Sequence, residues 1–223
     1  MRICVYLFIS LLYIVLYQKR GVFSLPESTC YFNSNENLVQ WKLNDTLFHM
    51  IHDVNKAYDS ISVICIGTDR STGDSYGPLT GHLLSKQKLG DFSLYGTFKE
   101  PVHALSLPQT LEKIDLEHSL VIAVDASVGS PEYIGHIGIS YEPVRPGSGL
   151  GKTLPPVGDI SITGIAASGG IAPFLMLQNA SLGMIYTMAE KTCYAIQTTL
   201  YRLRLENLLP ARPSAKKMRS VIA

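Results

Sequence analysis

Four aspartates stand where the chain changes from apolar to polar, and their placement suggests acid–base chemistry. Asp69 and Asp74 follow the apolar run Ile61–Ile66, Asp125 closes the run Ser119–Asp125, and Asp159 opens a third. In open α/β sheets, ligands bind beyond the carboxyl ends of the strands. Asp74 and Asp125 are far apart in sequence, yet neighbouring parallel strands would bring their carboxylates together. Two carboxylates that close cannot both ionise freely. One keeps a proton and acts as acid while the other acts as base, an arrangement that can activate water against an amide. Each aspartate also has a purely structural reading, because an Asp between a strand and a helix is often a helix cap.

The other reactive residue types form weaker patterns. Gly147-Ser-Gly-Leu-Gly-Lys-Thr153 resembles a phosphate loop only in part. That motif needs a glycine where Pro146 stands, and a helix where Leu154-Pro155-Pro156 follows. Gly147, Gly149 and Gly151 fit better as a loop that admits close backbone approach by a bound chain. His49 and His52 share one side of an expected helix and read as a solvated face, with no third ligand nearby in sequence. His82, His103 and His136 are scattered and read as surface or core residues. No Gly-x-Ser-x-Gly elbow occurs, and none of the cysteines (Cys4, Cys30, Cys65 and Cys193) lies in a Cys-x-x-Cys pair. Cys65 and Cys193 sit in apolar patterns and read as reduced core residues, which suits a reducing compartment.

The elements that must position these residues follow from periodicity. Leu47, Ile51, Val54 and Tyr58 recur at helical spacing behind a cap at Asn44 or Asp45. Strands are expected at 61–66, 92–98, 119–125, 134–140 and 159–163. Helices are expected from just after Pro78 to about Lys88, over 107–113, over 171–178 and over 182–205. Strands alternating with helical patterns predict a three-layer α/β/α sandwich around a mainly parallel sheet, spanning residues 41–206. Residues 21–40 read as a polar linker and 207–223 as a basic, solvated tail. The segment Ile3–Tyr17 is almost wholly apolar, but as a helix it would reach only about 22 Å, short of a hydrocarbon core of roughly 30 Å. It also lacks a small-residue cleavage site, so residues 1–20 read as an extension or short membrane anchor. Membrane contact is therefore expected only through residues 3–17. The formal net charge of +1 argues against a nucleic-acid binder, which needs a basic surface.

Four blocks go further. Cys65-Ile-Gly-Thr-Asp-Arg-Ser-Thr-Gly-Asp-Ser-Tyr-Gly-Pro-Leu79, Val121–Ser127, Arg145–Lys152 and Leu154–Gly164 resemble, in order, the signature segments of the YyaC-type family of sporulation proteins. The wider resemblance is to the fold of germination protease and the hydrogenase maturation proteases. Thr72–Pro78 is similar to the stretch holding germination protease's first catalytic aspartate, which implies that role for Asp74. Val121–Ala126 is similar to the strand ending in the second acid, which implies Asp125. The maturation proteases carry a metal-binding histidine where this chain has Ser161, two residues before Thr163. The resemblance therefore implies the metal-free branch, with no cofactor and no metal ligands. It implies an aspartate-dependent endopeptidase of the forespore or spore cytoplasm acting on a protein or peptide such as a spore protein. Asp69, Ser161 and Thr163 would position the acids or the substrate, and the glycine loop would line the cleft. A non-catalytic peptide-binding or regulatory protein on the same fold is the alternative. Neither substrate specificity nor oligomeric state is implied.

Overall fold

The computed structural model describes residues 29–87, 92–147, 154–170, 172–206 and 208. In chain order the elements are β1 (Cys30–Asn33), α1 (Val39–His52), β2 (Ser60–Cys65), a 3-10 turn (Gly73–Ser75), α2 (Tyr76–Ser85), β3 (Ser93–Tyr95), α3 (Leu107–Leu111), β4 (Ser119–Gly129), a second 3-10 turn (Pro131–Tyr133), β5 (His136–Ser140), β6 (Ile160–Ser168), α4 (Pro173–Gln178) and α5 (Leu182–Leu205). The six strands form one sheet in the order β1-β5-β6-β4-β2-β3. β6, β4, β2 and β3 run parallel, whereas β5 and β1 add antiparallel at one side. The expected α/β sandwich around a mainly parallel sheet is what the chain forms.

Strand alternation divides the core into two clusters. On one face, Val63, Ile122, Val124 and Ile162 pack against Leu43, Leu47 and Ile51 of α1 and Ile185, Ile196 and Leu200 of α5. On the other, Ile64, Ile66, Val121 and Ala123 pack under Leu107 of α3 and the loop residues Val102, Val144 and Val157. This second cluster contains no residue of β1, β5 or β6. Among the described residues, the apolar cover on that face therefore stops at β4, a fact that decides where a ligand can reach the sheet.

Several elements differ from the sequence reading. α1 begins at Val39 rather than at a cap near Asn44, because Val39 and Leu43 extend the buried stripe toward the N-terminus. Asn44 lies inside the helix, where its Oδ1 accepts from Gln40 Nε2 at 2.9 Å. Val54 and Tyr58 fall beyond its end. Within the stretch read as a linker, Cys30–Asn33 pair with β5 in register Cys30↔Ile139 to Asn33↔His136. β4 and β6 run past Asp125 and Thr163, because their mutual pairing continues to Gly129↔Ser168 with one register shift after Ser127. Asp125 thus lies within a strand, not at its end. The bounds of α5 match the expectation, and Ile185, Ala189, Cys193, Ile196, Leu200 and Leu203 are all buried. Among the described residues, no helix is long and apolar enough to cross a membrane. The apolar segment 3–17 lies outside the described residues.

Candidate functional site

The site is built where β2 ends against β4. Ile66 N–H donates to Val124 O at 2.7 Å, which sets the chain after β2 alongside Asp125. The chain then turns at Gly67, whose φ of +136° favours glycine, and passes through Thr68–Thr72 into the 3-10 turn that carries Asp74. α2 starts immediately afterwards and lies on the end of β2. A Cβ on Gly77 would drive into the Ile66 carbonyl, so only glycine permits this approach. Thr68 N–H closes the loop by donating to Asp74 Oδ2 at 2.8 Å.

Asp74 and Asp125 are brought together closely enough for the Asp74 charge to act on Asp125. Burial pushes the Asp125 carboxyl well above its ordinary range and the neighbouring Asp74 charge pushes it further, against one opposing hydrogen bond from Ala126 N–H. Burial also raises Asp74, opposed by the Thr68 hydrogen bond and by the nearby His103. The arrangement favours a neutral Asp125 and an Asp74 whose ionised form is the better supported of the two. Behind them, Tyr76 is fully buried, its hydroxyl 2.6 Å from Thr192 Oγ1. Its phenol is pushed up by burial and by the nearby Asp125. The Tyr76 ring fills the space over Gly164, where a Cβ would stand 2.9 Å from it.

The remaining expected site residues separate. Thr163 stands opposite Asp125 in the β4–β6 register and Ser161 opposite Ala123. With Tyr31, Ser127, Tyr133, Ser140 and Glu142, both line an open groove of about 350 Å³ on the uncovered part of the sheet. Asp74 and Asp125 are not among its lining residues. Gly138 in β5 leaves room for Thr163, whose Oγ1 would lie 2.8 Å from an added Cβ. Asp69 is exposed on the loop after β2. Gly147 is partly buried, whereas Gly149 and Gly151 lie outside the described residues. Asp159 belongs to the opposite end of the sheet. It takes Lys56 Nζ on both oxygens (2.9 and 2.8 Å) and Val121 N–H at 2.8 Å, tying β4 to the entry of β6.

Sequence reasoning took His103 for a surface or core residue and gave Tyr76 and Tyr31 no role. His103 is delivered to Asp74 by the bridge between Ile66 and Val102 and by Gly67 N–H donating to Val102 O at 2.8 Å. Its Nδ1 accepts from Leu105 N–H at 3.2 Å, so the neutral ring carries its proton on Nε2. A lone histidine in a loop carries no pattern that could announce this. His49 pairs with Asp45 at 3.6 Å and His52 with Asp53 at 2.5 Å, so both are engaged close to their own helix. Cys65 and Cys193 are buried and free, and burial pushes the Cys193 thiol up to about 12. Among the described residues, no group of three or more His, Cys, Asp or Glu is placed to hold a metal ion.

Comparison with known proteins bears on the same segment of chain. A family model described as "Protein of unknown function (DUF1256)" matches residues 31–194, from β1 into α5. The chain is 37% identical over 185 residues to "Uncharacterized protein YyaC" of Bacillus subtilis (strain 168), covering 82% of this chain and 89% of that protein. Both matches span the acid pair and the groove together, and the chain belongs to the DUF1256 family as a YyaC-type protein.

Proposed function

We propose that this protein is an aspartate-dependent endopeptidase of sporulation, in which Asp74 and Asp125 share a proton and activate water. The observation that carries the reading is the pairing of two half-buried carboxyls, both raised, at the junction of β2 and β4. Ionised Asp74, supported by Thr68 N–H and His103, takes a proton from water as the water oxygen bonds to the scissile carbonyl carbon. Protonated Asp125 gives its proton to the carbonyl oxygen. Collapse of the tetrahedral intermediate breaks the C–N bond, returns a proton to Asp125 and passes the Asp74 proton to the leaving amine. Ser161 and Thr163 hold the substrate from the groove, Gly147, Gly149 and Gly151 admit its backbone, and Asp69 lies on the approach. The substrate is a protein or peptide of the spore, met in the forespore or spore cytoplasm.

A second reading rests on the separation of the groove from the acids. In it the chain is a peptide-binding or regulatory protein, and the acids only shape the cleft. One experiment divides the two. Full-length wild type, Asp74→Asn and Asp125→Asn are incubated with sporulating-cell extract and with purified spore proteins, and the products are read by mass spectrometry. The peptidase reading expects discrete cleavage that falls by about 100-fold or more in each folded variant. Cleavage that survives both substitutions, or spore proteins captured intact by all three forms, overturns it.

A further inference from the structure

We propose that the groove on the uncovered part of the sheet is a specificity pocket for a lysine or arginine side chain of a bound peptide, an inference that rests on the peptide-cleavage reading above. Three observations define what the groove accepts. The first is charge: of the described residues that line it, Glu142 alone carries a charged side chain. Its backbone N–H donates to Ser140 Oγ at 2.9 Å, which fixes the carboxylate-bearing turn at the groove's edge. The second is the aromatic wall. The rings of Tyr31 and Tyr133 lie with centroids 4.9 Å apart, tilted by 47°, and both line the groove. Ring faces attract ammonium and guanidinium groups. The third is the floor, where Ser161 is buried at 4% exposure and Thr163 stands beside it, each bringing a hydroxyl that can accept as well as donate.

These features discriminate among side chains. An acidic side chain would meet Glu142 and be repelled. An aliphatic one would cover hydroxyls without pairing them, at the cost of their hydration. A long cationic side chain lays its methylenes along the tyrosines and brings its N–H donors to the hydroxyls and the carboxylate. With about 350 Å³ available, the groove has room for such a side chain and part of the backbone that carries it. The Asp125↔Thr163 register places the floor of the pocket one strand away from Asp125, so a peptide seated by this side chain would run toward the acid pair.

The test reads binding apart from turnover. N-acetylated tetrapeptide amides of sequence Ala-Xaa-Ala-Ala, with Xaa as Lys, Arg, Gln, Leu or Glu, are titrated into full-length wild type and Asp125→Asn, with affinity followed by NMR. Lys and Arg peptides are expected to bind at least about fivefold more tightly than the Gln peptide in both proteins. Glu142→Gln, an exposed position whose change leaves the fold intact, should erase that preference, and Glu142→Lys should shift it toward the Glu peptide. Equal affinity for Lys, Gln and Leu peptides, or a basic preference that survives Glu142→Gln, overturns the proposal. Basic preference in a protein that hydrolyses nothing overturns the peptidase reading and leaves the pocket standing. Hydrolysis that depends on the acids but shows no basic preference does the reverse.

Discussion

Burial pushes Asp74 and Asp125 in the same direction, the Asp74 charge pushes Asp125 further, and this has a consequence for stability. A carboxyl with a raised pKa holds its proton in the folded chain at pH values where the unfolded chain has already lost it. The folded state therefore gains stability that is complete below the ordinary carboxylate value, here 3.8, and is lost as pH rises through the folded values. Urea midpoints measured from about pH 4 to about pH 8 are expected to fall with pH in wild type more steeply than in Asp125→Asn. The variant should also be the more stable protein at neutral pH, while being inactive. Parallel pH profiles for the two would show that Asp125 ionises without cost, and would remove the basis for a shared proton. That Asp74 follows a strand was legible in the sequence, because an apolar run that gives way to polar residues is a local pattern; that Asp125 lies inside β4 was not, because the pairing with β6 that carries the strand on to Gly129 is non-local. The role of Asp159 was not legible either. It looks the same in sequence, and only its contacts with Lys56 and Val121 N–H assign it to the far end of the sheet.

At the scale of elements, the acid pair depends on how closely α2 lies over β2. Gly77 and Gly81 allow that approach, since a Cβ at either would enter a backbone carbonyl, of Ile66 and of Gly96 respectively. Gly77→Ala is expected to lower stability by about 2–4 kcal/mol, since backbone must move to admit the methyl group. Urea unfolding checks this. Gly183→Ala is the control: it lies in the first turn of α5, where a Cβ would meet only Ser181 Oγ at 3.9 Å, and should be neutral or slightly stabilising. Similar small effects for both would mean that the α2–β2 approach is loose. The helical stripe of α5 could be read to its ends because one face is buried along its length. α1 was misplaced because Asn44-Asp45 looks like a cap, while the apolar residues before it decide where the helix begins.

Among the described residues, the whole molecule places an uncovered stretch of sheet beside the half-buried acids, and β1 borders it. β1 contributes Tyr31 to the groove and pairs with β5, so its loss would open the groove and leave the β5 edge unpaired. Deleting residues 1–34 is expected to lower the urea midpoint and promote self-association seen by light scattering. Deleting residues 1–28 removes neither β1 nor Thr29 and serves as comparison. Equal midpoints and equal dispersity for the two shortened chains would place β1 outside the cooperative unit.

By itself the sequence determined the fold class, the order of most elements and the aspartates worth testing, because hydrophobic period and the residues that interrupt it are local properties of a chain. Only the tertiary structure decided which acids meet. Strand order and register are non-local, so Asp125 reaches Asp74 while Asp159 does not. The same register, not any motif, brings His103 to Asp74 and gathers Tyr31, Tyr133, Glu142, Ser161 and Thr163 from four separate stretches of chain around one groove.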